Sequence, residues 1–250
     1  MDLQLKGRTA LVTGASTGIG RAIAAMLAGE GVRMAVVARR RELLETLSRE
    51  VAAAGGSAPA IIVADVMEPD SASRIRDVAL AALGSVEILV NCAGASTPLP
   101  VDAPDEKWDH AMTLNFTRVR QLTHALLPQM QARGFGRVIN ITGKSEPDRL
   151  NASFAAKAGI HAWSKGLSKE IGKHGITVNC VAPGRIMSEQ IRRLYPEAER
   201  QALSDTEIAV GRYGEPEDVA LMVTLLASPR AAYFTGIVVP VDGGLRRYQF

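Results

Sequence analysis

The residues best suited to chemistry begin in a short glycine-rich run, Thr13-Gly14-Ala15-Ser16-Thr17-Gly18-Ile19-Gly20, set between an apolar β-branched stretch and a helical pattern that starts at Arg21. Glycines at 14, 18 and 20 permit a tight turn and let main-chain N–H groups approach a pyrophosphate closely. The helix that follows adds its unpaired N–H groups and the positive end of its dipole. A glycine-rich turn alone can be a plain loop. With a strand before it, a helix after it and a second strand at the right distance, it reads as a dinucleotide site. That second strand closes at Ala38 and is followed by Arg39, Arg40 and Arg41. A carboxylate at the strand end would bond ribose hydroxyls and repel a 2′-phosphate. Its absence, beside the Arg39 guanidinium that can fork onto a phosphate, points to NADP, with NAD the less favoured cofactor, and Arg40 joins Arg39 among the cofactor-binding candidates. The alternative is that the arginines only cap the strand and solvate the next helix.

Such a turn needs a rigid frame. Apolar, β-branched runs recur at Thr9–Thr13, Arg33–Ala38, Ala60–Ala64, Val86–Val90, Arg137–Ile141, Ile176–Val181 and Ile237–Val241. Helical periodicity fills the intervals at Ile19–Glu30, Glu42–Ala54, Pro69–Leu83, Glu106–Arg133, Ser153–Lys173 and Glu215–Ala227. Strand alternating with helix predicts an α/β fold: one doubly wound domain, a seven-stranded parallel sheet covered on both faces. The stretch from Pro183 to Gly214 lacks a strand partner. It is amphipathic and rich in arginine and glutamate, and it is expected to form a substrate lid near residues 185–213.

The TGxxxGxG spacing of the first turn resembles the short-chain dehydrogenase/reductase family, and further marks follow in order. Asp65-Val66 resembles the family pair that contacts adenine, and Asn91-Cys92-Ala93-Gly94 resembles its NNAG stretch. Asn115 sits where the family carries a helix asparagine. Pro183-Gly184, with Ile186 just beyond, resembles its PG turn, and Val241-Asp242-Gly243-Gly244 its C-terminal ending. The pattern is similar to that of the 3-oxoacyl-acyl-carrier-protein reductase-like members. The resemblance implies a Rossmann-type fold, nicotinamide chemistry on a small carbonyl or alcohol substrate, and assembly as a homotetramer or homodimer.

In that family a tyrosine gives or takes the proton, a serine bonds the substrate oxygen, and a lysine lowers the tyrosine pKa. Here the segment reads Asn151-Ala152-Ser153-Phe154-Ala155-Ala156-Lys157, so Lys157 is present but Ser153 stands in the tyrosine position. The tyrosines, Tyr195, Tyr213, Tyr233 and Tyr248, all lie beyond this helix. Gly143 takes the place of the family serine, leaving Thr142 and Ser145 as candidate hydroxyls or as ordinary loop residues. An aliphatic hydroxyl cannot be tuned toward working pH as a phenol can. The candidate catalytic set is therefore Asn115, Lys157, Ser153, Thr142 and Ser145. Protons would reach the substrate through Lys157 and a water, through a nearby hydroxyl, or through Tyr195 or Tyr213 carried in by the lid.

Composition narrows the alternatives. Of 250 residues, 47% are hydrophobic and 22% charged, enough to build a core. The net charge of +3 is gathered in short clusters, including Arg246-Arg247, without interleaved aromatics, which argues against nucleic acid. The chain start shows neither signal nor transit pattern, and no apolar run reaches the roughly 20 residues of a bilayer span. A cytoplasmic location without membrane association is expected. Cys92 and Cys180 suit buried reduced thiols, and the four histidines are scattered without metal-ligand spacing. Two functions remain: an NADP-dependent oxidoreductase with a rebuilt proton path, and an NADP-binding protein that has lost the chemistry and acts as a sensor or subunit partner.

Overall fold

The β-branched runs form seven strands in a computed structural model that describes residues 1–143 and 149–246. They are β1 (Thr9–Thr13), β2 (Arg33–Ala38), β3 (Ala60–Val63), β4 (Ile88–Asn91), β5 (Gly136–Ile141), β6 (Ile176–Pro183) and β7 (Val238–Val241). All pair in parallel in the order β3-β2-β1-β4-β5-β6-β7. The order reverses direction between β1 and β4, which opens a crevice at the carboxyl ends of those strands.

Because strand side chains alternate between faces, each central strand feeds two cores. Ala10, Val12, Val36, Ile88, Val90 and Ile139 pack on one side. Leu11, Ala35, Val37, Leu89 and Val138 pack on the other. The first face is covered by helices α1 (Gly18–Gly29), α2 (Arg41–Ala53) and α9 (Pro216–Ala227). The second is covered by α3 (Ser71–Leu83), α5 (Arg118–Arg133) and α6 (Ala152–Ile171). The remaining helices are α4 (Asp105–Met112), α7 (Glu189–Leu194) and α8 (Glu197–Glu207).

Two expectations need correction. The helix read as continuous from Glu106 to Arg133 is broken by a π turn at Thr113–Thr117, where the Arg118 N–H reaches back to the Thr113 carbonyl. Hydrophobic periodicity cannot reveal one inserted residue in an otherwise regular helix. The segment after Pro183 is not irregular throughout: it carries α7 and α8, and its ends are tied where Met187 N–H donates to the Gly214 carbonyl (2.7 Å) and Gly214 N–H to that of Arg185 (2.9 Å). Among the described residues no helix is long and apolar enough to cross a membrane.

Candidate active site

The glycine-rich turn leaves the end of β1 at Thr13. Thr13 Oγ1 accepts hydrogen bonds from the N–H groups of Cys92 (3.0 Å) and Ala93 (3.1 Å), joining the ends of β1 and β4. A Cβ on Gly14 would lie 2.9 Å from Ala93 N, so only hydrogen fits there. Gly18 differs: its φ is +55° and a Cβ built on it would meet nothing within 4 Å. This is open space directly at the start of α1. Thr17, the residue preceding the helix, is extended and makes no side-chain cap, so the first N–H groups of α1 have no side-chain acceptor. Ile19 is half-buried against the core and Gly20 is buried.

Cations frame this opening. Arg40 Nη2 stands 3.3 Å from Thr17 Oγ1 and 3.5 Å from Ser16 Oγ. Arg39 is 77% exposed and its Nη1 lies 3.7 Å from Asp65 Oδ2. Of the two arginines read from the sequence, Arg40 is the one that bonds the glycine-rich turn. Open room at Gly18, an uncapped helix start and a hydroxyl-bound guanidinium together fit the phosphates of a dinucleotide.

Beside the turn, a small, mainly apolar pocket is lined by Thr13, Val66, Asn91, Ala93, Leu114 and Val119, among others. Asn91, however, is buried, and its Nδ2 donates to Thr123 Oγ1 (3.1 Å) and Asn140 Oδ1 (2.8 Å). Asn140 donates in turn to Ser164 Oγ on α6 (3.0 Å). The Asn91 side chain therefore holds the frame, leaving its backbone and Ala93 to face the pocket. Gly94 lies so near Asn115 that a Cβ would be 2.8 Å from Asn115 Oδ1. Farther along the edge, Gly184 N–H donates to the Val241 carbonyl (3.0 Å), and a Cβ there would strike Asp242 at 2.6 Å. Pro183 ends β6 and Ile186 is buried in the core.

Of the candidate catalytic residues, Asn115, Thr142, Ser153 and Lys157 are among the described residues. Asn115 sits in the π turn, where its Nδ2 donates to the Ala111 carbonyl (3.0 Å) and its Oδ1 accepts from Ala95 N–H (3.2 Å). Lys157 Nζ donates to the Thr142 carbonyl at 2.7 Å. Burial pushes the Lys157 ammonium below its usual pKa, and burial pushes the nearby Cys92 thiol up to about 12, keeping it protonated. Ser153 is only 1% exposed, and its hydroxyl donates to Asn151 Oδ1 at 2.7 Å. Asn151 caps α6 and also accepts from Thr97 N–H (3.2 Å). Ser153 is thus committed to the helix cap. Among the described residues no tyrosine bonds Lys157, Thr142 or Ser153: Tyr213 is buried, Tyr195 half-buried and Tyr233 fully exposed. Ser145, Arg247 and Tyr248 lie outside the described residues.

One member was missed. His161 Nε2 lies 2.9 Å from Thr142 Oγ1, although the sequence showed only a lone histidine. The available signal was its place four residues after Lys157, which puts both on one helix face. Cys92, expected to be a buried thiol, lies just beyond the end of β4 at Asn91 and is half-buried.

Comparison with known proteins agrees with this architecture. Residues 14–246 match the family described as enoyl-(acyl carrier protein) reductase. The 3-oxoacyl-acyl-carrier-protein reductase FabG of Pseudomonas aeruginosa is 39% identical, covering 97% of this chain and 99% of its own. The 2,3-dihydroxy-2,3-dihydro-p-cumate dehydrogenase of Pseudomonas putida is 37% identical over 97% of this chain and 95% of its own. The L-sorbose reductase of Gluconobacter frateurii, solved with NADPH and L-sorbose, superimposes with a TM-score of 0.94 at 29% identity, covering 99% of this chain and all of that one. A sequence match along nearly the full chain, on a seven-stranded parallel sheet with a glycine-rich turn at its switch point, has one consequence: the chain belongs to the short-chain dehydrogenase/reductase family of oxidoreductases.

Proposed function

We propose that this protein is an NADP-dependent oxidoreductase acting on a small carbonyl or alcohol compound, with a proton path that does not use the family tyrosine. The observation that carries the reading is the cradle at the start of α1. Gly18 leaves open room there, and Arg40, held by Ser16 and Thr17, supplies a cation where the 2′-phosphate of NADP would lie. Asp65, Val66, Ala93 and Gly94 would border the adenosine half. Lys157, Pro183, Gly184 and Ile186 would border the nicotinamide half. The bound cofactor would supply or accept the hydride. Asn115 and Lys157 would orient the substrate end, and residues 185–213 would close over it as a lid. The NADPH bound to the sorbose reductase supports the cofactor assignment. The relatives' differing substrates leave this chain's own substrate at the level of its class. A cytoplasmic homotetramer or homodimer is the accompanying expectation.

A second reading, an NADP-binding sensor or subunit partner, is favoured by two features: Ser153 is consumed by the cap of α6, and Gly143 carries no hydroxyl. Titration with NADPH and NADH, followed by a panel of carbonyl and alcohol substrates, separates the two. Tight NADPH binding with hydride transfer to any member supports the oxidoreductase. Tight binding with no transfer across the panel supports the sensor.

A further inference from the structure

We propose that His161, acting through the Thr142 hydroxyl, holds the proton that the family tyrosine would otherwise supply to the substrate oxygen. The inference rests on the oxidoreductase reading above and assigns its acid.

The geometry is specific. Thr142 O–H donates to the Val181 carbonyl at 3.1 Å. With that proton directed to Val181, the Thr142 oxygen is the acceptor for His161 Nε2, 2.9 Å away, whenever that nitrogen carries a proton, as it does in the imidazolium. Thr142 directly follows the end of β5 and precedes Gly143, and its carbonyl accepts from Lys157 Nζ. One residue thus joins the lysine, on its backbone, to the imidazole, on its side chain. A Cβ at Gly143 would make ordinary contact with Lys157 Cδ at 3.7 Å and Nζ at 3.9 Å, so Gly143 lies directly beside this pair. Imidazole is the side chain whose ordinary pKa lies within working pH, the range to which a catalytic phenol has to be tuned.

The proton balance is simple. In reduction, reduced nicotinamide dinucleotide is the hydride source for the carbonyl carbon. The substrate oxygen displaces the Val181 carbonyl as acceptor of the Thr142 hydroxyl and takes its proton. Thr142 Oγ1 takes the Nε2 proton of the imidazolium, and the neutral ring keeps its proton on Nδ1 until water recharges it. Oxidation of an alcohol runs the same transfers backwards. Thr142 touches the substrate; His161 works through it as a positioning and proton-holding residue. The groups bearing on the ring all disfavour its cation: burial first, then Lys157 one turn earlier on α6, then Arg246 beyond β7. The imidazole accordingly titrates below its usual 6.5. Carbonyl reduction, which needs the cation, falls as pH rises through this lowered pKa, while alcohol oxidation, which needs the neutral ring, grows.

The test uses the full chain, wild type and His161→Gln, which keeps an N–H donor near the Nε2 position and removes the titration. Proton NMR of the ligand-free wild type gives the His161 pKa without turnover. NADPH affinity and thermal midpoint are compared for both proteins, and kcat/KM for reduction is then followed against pH. The expected result is an imidazole pKa below 6.5 that coincides with the wild-type rate limb. The variant is expected to keep NADPH affinity and stability but lose the limb and about 100-fold in kcat. If His161→Gln keeps the wild-type profile, or the wild-type imidazole does not titrate where the limb falls, His161 is overturned and the oxidoreductase reading stands. If the wild type binds NADPH and transfers no hydride, both fall together.

Discussion

Gly20 and Gly14 approach so closely that a Cβ on Gly20 would stand 2.3 Å from the Gly14 carbonyl oxygen. That contact seats α1 on the turn. Gly18, two residues earlier, faces open space at a φ of +55°. The two glycines therefore predict different failures. Gly20→Ala forces the turn apart and should lower stability by roughly 2–4 kcal/mol, in the range of overpacked sites. Gly18→Val should abolish NADPH binding while retaining the circular dichroism of the fold, with backbone strain of roughly 1–2 kcal/mol. Denaturant titration and fluorescence binding, run on both variants, read the difference. Normal NADPH affinity in folded Gly18→Val would place the nucleotide elsewhere.

Arg40 bonds Ser16 and Thr17, while Arg39 leans toward Asp65 and is mostly solvated. Arg40→Ala should weaken NADPH by a charge-assisted contact of roughly 1.5–3 kcal/mol, leaving NADH unchanged. Arg39→Ala should have the smaller effect. Equal affinity of the wild type for the two cofactors would remove the NADP assignment.

Restoring the family groups is a direct probe of the remodelled edge. Gly143→Ser adds a side chain where contacts are ordinary, the nearest atom being Lys157 Cδ at 3.7 Å. It should leave the thermal midpoint unchanged. Ser153→Tyr breaks the 2.7 Å bond to Asn151 and puts a ring into a site only 1% exposed, so it should cost roughly 1–3 kcal/mol. The double variant should gain on the order of 10- to 100-fold in turnover on generic ketones, the scale of one general acid. A folded, NADPH-binding double variant with no gain would show that position 153 does not face the substrate.

Arg137 is the most unusual buried side chain. Its guanidinium donates to the carbonyls of Ser228 (3.1 Å), Gly136 (2.8 Å), Gly175 (3.1 Å) and Pro229 (3.4 Å), and lies 4.3 Å from the Phe135 ring centroid. Burial, then the neighbouring Arg8, pull its pKa down to about 10, which leaves it cationic at neutral pH. Arg137→Met strands these carbonyls and should cost roughly 2–4 kcal/mol in urea unfolding. A loss within about 0.5 kcal/mol, the level of an ordinary surface change, would mean that water replaces the guanidinium.

The strands were readable because runs such as Ala10-Leu11-Val12 and Ala35-Val36-Val37 are apolar at every position, as a strand covered on both faces requires. The glycine-rich turn was readable because its spacing answers to backbone geometry that side chains would obstruct. The π turn at Asn115 was not, since one extra residue per turn leaves helical periodicity almost unchanged. Nor was His161, whose significance arises from Thr142, a residue on another element that meets it only after the sheet has formed. Arg137 shows the same limit: a charge inside a β-branched run is visible, but the four carbonyls that accept its protons come from three separate stretches of chain. Ser153 illustrates the converse. Its departure from the family pattern was plain in the sequence, and its engagement with Asn151 explains why it does not simply stand in for the phenol.

The buried chain from Asn91 through Asn140 to Ser164 and on to Cys180, whose sulfur lies 3.3 Å from Ser164 Oγ, runs from the wall of the pocket beside the glycine-rich turn to the helix that carries Lys157 and His161. It works as a mechanical datum, a fixed reference against which pocket and helix are both measured. Neither can drift without the other, and none of its members is spent on proton transfer. On the proposed function, a change of acid on α6 would therefore leave the alignment of pocket and helix intact. Loosening Asn140 would blur the distance between them while leaving every reacting group chemically whole.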